Sequence, residues 1–542
     1  MSGPSRRDFV AALLGVPFAL SCRASARHLP DGDLLVPGKV AGHRLRDSPA
    51  PVEPPERAWQ TAEVVVVGGG AAGLAAAWWL ARAGMQDVCV LELDEAAGGT
   101  SRAGASAITA HPWGAHYIVA PRPHQASLIA LLGELGALEA EPNTRTPVFG
   151  AEPLVAEQAV CRDPEERLFY RGRWYEGLYP WPGASARDRA QLERFQSEIG
   201  RWVAFRDARG RRAFALPRSG ASDDAEVTAL DRISFGGWLD AQGLDSQRLR
   251  WLTDYACRDD YGLLARDTSA WAGIGYFAAR IKEPGDEPQP VVTWPEGNAR
   301  LTDALARPLG ARLRLNTVVC RVDQKPEGVE VRAMGPEGPV GIRARRAILA
   351  TPEYVTERIL RSPEANSRPR VVSDRGAWAV ANLHLDQRPR TRAREAPLSW
   401  DNVFYASPSL GYVVATHQAG RDYGPTVLTW YYPFTGDGAG ARRELDSASR
   451  EEWATVALAD VSRAHPDLAE HCRRIDVAYW GHGMVRPRPG SVFDPARRAA
   501  IAPLGVVHFA SSELSGVSLF EEALDHGVRA AEEVLLALGH RA

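Results

Sequence analysis

Val64-Val65-Val66-Val67-Gly68-Gly69-Gly70-Ala71-Ala72-Gly73-Leu74 is the stretch that decides the fold. Four β-branched residues read as a buried strand, the glycines as a tight turn, and the alanine-rich continuation as a helix. Gly68, Gly70 and Gly73 in that setting form the Gly-x-Gly-x-x-Gly fingerprint of a dinucleotide-binding βαβ unit. Gly68 permits the turn. Gly70 lets the backbone approach a pyrophosphate, and Gly73 lets the helix lie close to the strand. The phosphates are expected on the free N–H groups of the first helical turn, where Ala72 stands.

The unit continues as such a fold requires. The helix ends at Gly84, a residue suited to the position after a helix terminus. A second strand, Val88-Cys89-Val90-Leu91, runs into Glu92, nineteen residues past Gly73. That is the spacing of a carboxylate that accepts from a ribose hydroxyl. The chain is therefore expected to carry a redox dinucleotide.

At 542 residues the chain can bury one large core or two smaller ones. A net charge of −3 gives no reason to expect nucleic acid or an anionic membrane as partner. Arginine supplies nearly all the positive charge, because only Lys39, Lys282 and Lys325 are lysines. The six cysteines at 22, 89, 161, 257, 320 and 472 form no Cys-x-x-Cys and no Cys/His cluster, so no metal site is expected. Cys89 and Cys320 read as core residues.

Ser5-Arg6-Arg7-Asp8-Phe9-Val10, followed by the apolar run Val10–Leu20, resembles a twin-arginine export signal. Ala24-Ser25-Ala26 offers a peptidase site, and Cys22 offers a lipid anchor as the alternative. The expected location is the periplasm, either free or as a membrane-anchored lipoprotein. Residues 27–61, rich in Pro, Gly and Arg, read as a linker or a loosely packed arm.

Two further blocks share the nucleotide-domain character. One runs from a helix at Ala299–Arg307 through a β-meander to Ala350. The other joins the strand Val506–Ala510 to a helix at Phe520–Leu538. Between them lie two insertions rich in Trp, Tyr and Arg. Helical periodicity marks Arg189–Phe205 and Phe235–Tyr261; β character marks Ala377–Leu385, Gly411–His417 and Thr426–Tyr432.

Together these pieces resemble the flavin-containing amine oxidase superfamily, which includes amine oxidases, protoporphyrinogen oxidases and phytoene-desaturase-like enzymes. The resemblance rests on Val64–Gly73 with Glu92, on the pair Gly98-Gly99, and on the closing segment His508–Glu513 with Phe520–Gly527. Leu315–Val319 is a looser match in which Val319 stands at the adenine. The resemblance implies FAD and an α/β fold: a discontinuous Rossmann-like FAD-binding domain (62–146, 291–370, 480–542) interleaved with an α+β substrate domain (147–290, 371–479).

The resemblance also implies roles. Thr100 follows the glycine pair where relatives have Arg, with Arg102 two places on. Ser512 and Glu513 stand where an acid faces the ribityl chain. Ser518–Glu521 reads as a capping box starting the helix whose first residues, Phe520 among them, face the flavin. Glu522 stands where glycine is common. No lysine occurs in Trp378–Leu385, where relatives hold a water at flavin N5, so the electron acceptor is left between oxygen and a respiratory carrier.

Hydride transfer to a flavin asks the pocket chiefly for orientation and desolvation. Tyr117 or His116 either faces substrate or packs in the core. Trp480 either forms a wall before the flavin or packs in a sheet, and His482 beside it is a further candidate. Asp254–Tyr261 reads first as an exposed helix end with an Arg–Asp pair, and second as carboxylates, Asp260 among them, that hold a cationic amine among aromatics. Arg486 and Arg488 meet either an anion or solvent.

The leading expectation is an FAD enzyme that oxidises an organic substrate, first an amine, with polyamines included, by hydride transfer to flavin N5. The alternatives are a phytoene-desaturase-like enzyme on an apolar substrate and a non-catalytic exported flavoprotein. A nicotinamide reductase would need a second nucleotide unit, and Gly273–Ala278 follows no strand.

Overall fold

The computed structural model describes residues 29–47, 53–139, 153–362, 368–392 and 394–540. The twin-arginine segment, Cys22 and the peptidase site lie outside the described residues. The fold is mixed α/β and is built on two eight-stranded sheets.

Strand β1 (Trp59–Val67) is central to the first sheet. It pairs in parallel with β2 (Val88–Leu91) on one side and β3 (Gly338–Leu349) on the other. Helix α1 (Ala71–Arg82) makes the crossover from β1 to β2. Both faces of β1 are covered, so Val64 to Val67 are all buried. Leu313–Arg314 extends the β2 edge in parallel. Gly328–Gly335 and Val318–Lys325 continue from β3 as an antiparallel meander. Val507–Phe509 also pairs with β3 in parallel, so the end of the chain returns to the nucleotide sheet.

The second sheet is built around β4 (Arg375–Leu385) and β5 (Cys472–Val485), an antiparallel pair. Thr426–Pro433, Gly411–Val414 and Asp401–Phe404 follow on the β4 side. Glu166–Tyr170 then joins in parallel with Asp401–Phe404. Helices of the first insertion, α2 (Gln247–Tyr261) among them, pack an aromatic core of their own. The closing helix α3 (Phe520–Ala537) packs along α1, close enough that a Cβ on Gly527 would lie 2.3 Å from the carbonyl oxygen of Ala72.

Two expectations are corrected. The 27–61 segment is not a plain linker. Leu34–Leu35 pairs in parallel with Val477–Ala478 of β5, and a helix covers Lys39–Asp47. Its anchor is hydrogen bonding to distant backbone: Ile475 and Val477 N–H groups donate to the carbonyls of Asp31 and Asp33. The capping box is also absent. The N-cap of α3 is Leu519, which makes no side-chain cap bond, and Ser518 Oγ instead accepts from the N–H of Val485 (2.7 Å).

Candidate active site

The glycine turn has the close approaches that its sequence implies. Gly68 has φ +106°, and a Cβ there would lie 2.6 Å from the Ala350 carbonyl oxygen. A Cβ on Gly73 would stand 1.9 Å from the Gly68 carbonyl oxygen. Gly70, the N-cap of α1, faces open space instead. Gly98 and Gly99 both have positive φ, and Gly98 bridges to Gly70.

Glu92 closes the turn from β2. One carboxylate oxygen accepts from the Gly69 N–H (2.7 Å) and the other from the Asp94 N–H (2.9 Å). Burial pushes this acid above its ordinary range, and the two N–H groups oppose that. These residues fit a dinucleotide: the bare backbone at Gly70 and the start of α1 would hold the pyrophosphate, and Glu92 would hold the ribose. Val319 is buried in the meander strand Val318–Lys325, which pairs with Gly328–Gly335.

Other residues expected at the cofactor have partners of their own. Arg102 donates to Asp94 (2.6 Å). Ser511 Oγ, next to Ser512, accepts from the Glu513 N–H. The Glu513 carboxylate takes two bonds from Arg375, both 2.6 Å, and one from the Glu353 N–H. This acid thus braces the last flavin-type segment against β4.

Between the two sheets lies a cavity of about 140 Å³. The segment after the glycine pair contributes Thr100, His116 and Tyr117; β4 and β5 contribute Trp378 and Trp480. The uncapped start of α3, with Phe520 and Glu521, closes one end; α2 supplies Asp259 and Asp260. No lysine lines it among the described residues.

Tyr117 is at the centre of the polar wall. Its hydroxyl lies 3.2 Å from Asp260 and 3.3 Å from Asp259. Arg280 binds Asp260 through both carboxylate oxygens (2.9 and 2.8 Å) and reaches the Tyr117 hydroxyl at 3.2 Å. Burial, with Asp260 adjacent, pushes Asp259 up to about 7. His116 stacks on Tyr431 at 4.8 Å, and burial pulls it down to about 4, so it is neutral. Trp480 Nε1 donates to the Trp113 carbonyl (2.6 Å), which fixes its ring in the wall.

The acid cluster of α2 is not an exposed helix end. Asp260 and Arg258 are 6 % and 7 % exposed. Arg258 donates to the carbonyls of Ser407 and Pro408, and no Arg258–Asp pair forms among the described residues. His482 does not join the cavity. Gly376 opposes Met484 and Trp378 opposes Trp480, so β5 carries two more residues than β4 there. The excess bulges outward with His482 on it, exposed and against Tyr354 (5.0 Å). Arg486 is buried and donates to the carbonyls of Phe434 and Gly436; Arg488 pairs with Asp374 (2.6 Å). Neither arginine is left for an anion from solution.

Arg280, Asn298, Trp378 and Glu521 line the cavity and were not among the site residues expected from sequence. Only Glu521 has a local signal, as the second residue of a helix expected at a flavin. The five described cysteines are free.

A βαβ nucleotide unit beside an aromatic and acidic cavity fits an oxidoreductase of the flavoprotein class. Residues 71–535 match the family of flavin-containing amine oxidoreductases, and the chain belongs to that family. It is an FAD-dependent oxidoreductase. A Mycobacterium tuberculosis protein, AofH, named provisionally as a flavin-containing monoamine oxidase, is 28 % identical in an alignment of 503 positions that covers 88 % of this chain and 97 % of that one. Two solved structures share the fold over 88 % of this chain. Putrescine oxidase, in a structure bound to putrescine, matches with TM-score 0.62 at 18 % identity over 100 % of its own length. Cyclohexylamine oxidase of Brevibacterium oxydans IH-35A matches with TM-score 0.61 at 17 % identity over 99 % of its length.

Proposed function

We propose that this protein oxidises an amine by removing a hydride from the carbon that bears nitrogen. The observation behind the reading is the wall formed by Asp259, Asp260 and Tyr117. It places carboxylate oxygens and an aromatic face on a cavity whose other side is the start of α3 and Trp480. Such a wall suits an organic cation. The names of the relatives, a monoamine oxidase, a putrescine oxidase and a cyclohexylamine oxidase, point to the same substrate class.

FAD, when bound, is the two-electron acceptor. The substrate reacts as the neutral amine: its nitrogen releases a proton to solvent, the carbon gives up a hydride as the nitrogen lone pair forms a carbon–nitrogen double bond, and water hydrolyses that bond to a carbonyl and ammonia or an amine. The chain's residues position and desolvate the substrate. Asp259, as the carboxylate, attracts the ammonium; Tyr117 orients it; Trp378 and Trp480 exclude water. Neutral His116 adds no competing positive charge beside the substrate.

Anaerobic mixing of the holoprotein with amines, amino acids and polyenes tests the reading. Bleaching of the flavin by an amine is the expected result. Bleaching by polyenes alone would favour the desaturase-like alternative, and bleaching by none would leave a flavin-binding scaffold. The absence of lysine from the described cavity lining favours a carrier over oxygen as acceptor, so reoxidation by a quinone should outpace reoxidation by air. Export by the twin-arginine route belongs to the same proposal. Fractionation should find the protein in the periplasm or, with Cys22 lipidated, in membranes that release it when Cys22 is replaced by Ser.

A further inference from the structure

Glu521 faces two ways. It lines the cavity described above, and it also lines a separate cleft of about 380 Å³ on the other side of the start of α3. Among the described residues no other borders both spaces. The partition between them is thin. Leu216 faces the cavity and Pro217 the cleft. His124 Nε2 lies 3.1 Å from the Leu216 carbonyl oxygen and ties the partition to the start of the helix Ala126–Glu134.

The cleft carries a row of acids away from the cavity. Asp525 and Glu532 follow Glu521 by four and eleven residues, a spacing that puts all three on one face of α3. All three line the cleft. Exposure grows along the row: Glu521 is buried, Asp525 half-buried and Glu532 exposed. Burial raises each above the ordinary carboxylate range, Glu521 to about 7. On the cavity side Arg280 opposes that rise in Glu521 and Asp260 adds to it. On the cleft side the basic groups are His124 and Arg529.

A second, independent feature marks the cleft as a place for water. Gln125 lines it and is buried. Its Oε1 accepts from the Arg122 N–H (2.6 Å), and its Nε2 has no acceptor in the protein. A buried amide donor on a polar space of this size is satisfied by a water. Glu521 thus has a dry aromatic cavity on one side and a hydrated cleft on the other.

An amine enters at neutral pH as the ammonium and must lose a proton before its carbon can yield a hydride. Asp259 borders the cavity but not the cleft, so a proton taken there stays inside. We propose that Glu521 is the catalytic base, taking the proton from the substrate nitrogen and passing it by way of Asp525 and Glu532 to solvent through the cleft. The nitrogen–hydrogen bond breaks, a carboxyl O–H bond forms, and the nitrogen keeps the electron pair. The carboxyl then gives the proton to water in the cleft and is again a carboxylate. This rests on the amine reading given above.

The test uses butylamine and benzylamine as anaerobic reductants of the purified holoprotein, with a pH-indicator dye reporting protons released to the bulk. In the wild type the limiting rate of flavin bleaching should rise with pH through about 7, as Glu521 becomes the carboxylate, and proton release should keep pace with bleaching. In Glu521→Gln the limiting rate at neutral pH should fall about a hundredfold. Its rise with pH should move up toward the alkylammonium range, about 10. The amide keeps the size of the acid and an acceptor oxygen, so a folded, flavin-loaded variant is expected. Ala126 is exposed and lines the cleft but not the cavity. Ala126→Trp should therefore bleach at the wild-type rate in a single turnover and release its proton with a lag. A rise that stays at about 7 in Glu521→Gln assigns the base to Asp259, overturns the inference and leaves the amine reading standing. Proton release without a lag in Ala126→Trp overturns the route through the cleft. A flavin that dithionite reduces and neither amine does overturns both readings.

Discussion

Gly73 and Glu92 hold the cofactor turn by opposite means, one by lacking a side chain and the other by the bonds of its own. The nearest obstacle to a Cβ on Gly73 is the backbone oxygen of Gly68, which has no rotamer with which to yield. Gly73→Ala should therefore cost about 2–3 kcal/mol and leave purified protein nearly free of flavin. Gly84 is the control. Its φ of +86° is strained for alanine, but nothing lies within 4 Å of the added carbon. Gly84→Ala should cost about 1 kcal/mol and keep the flavin. Melting temperature and flavin absorbance per chain separate the two. At Glu92 the charge matters as well as the shape. Glu92→Gln keeps one acceptor for Gly69 or Asp94 but turns a donor toward the other, losing about 1.5–3 kcal/mol of charge-assisted bonding. Flavin release in dilute protein should become at least tenfold easier.

The start of α3 shows how an element can be visible in sequence while its fastening is not. The periodicity of Phe520–Ala537 is strong, and the helix stands where it is expected. Ser518 looks like a cap, yet its hydroxyl goes to Val485, thirty-three residues away, and ties the end of β5 to the helix. Ser518→Ala should thus leave the helix content measured by circular dichroism unchanged while lowering stability by about 1 kcal/mol. A true cap would fray the helix instead. The same limit applies elsewhere. The βαβ unit is legible because turn, helix and strand are contiguous. The strap at Leu34–Leu35 is not, because two residues in a Pro- and Gly-rich stretch carry no periodicity and their partner strand begins at Cys472. On α2 the helix is legible and its burial is not: Arg258, Asp259 and Asp260 have a surface composition, and only the tertiary placement of the Ser407 and Pro408 carbonyls and of Arg280 explains why they are inside. The Gly38 N–H of the N-terminal arm donates to Asp94, which also receives Arg102, and the arm thereby touches the loop after Glu92. Deleting residues 29–47 should loosen flavin as well as β5, seen as a lower melting temperature and faster flavin loss together.

Across the whole molecule two sets of buried ionisable groups act on stability with opposite sign. His111 and His116 are pulled down to about 4 and His465 to about 3, mainly by burial. The folded state binds fewer protons than the unfolded one at these sites, so their contribution is full above the ordinary histidine value of 6.5 and is lost as pH falls toward 4. Glu166, Asp259, Glu521 and Glu522 are pushed up to about 7, again chiefly by burial. There the folded state binds more protons, so stability is highest at low pH and is lost as pH rises from the ordinary carboxylate range toward 7. The two windows overlap, and the melting temperature should change little between about pH 4.5 and 6.5. Glu521→Gln with Glu522→Gln removes two of the offsetting acids. The amide oxygen introduced at position 522 can still accept from the Arg218 N–H that Glu522 now binds (2.6 Å). The double variant should be more stable than wild type at neutral pH, and its melting temperature should fall by several degrees as pH drops through the same interval, because the histidines are then opposed by fewer buried acids. A profile parallel to that of the wild type would mean that these two acids are ionised throughout and that their burial has been offset by bonds to Ser515, Arg218 and the backbone.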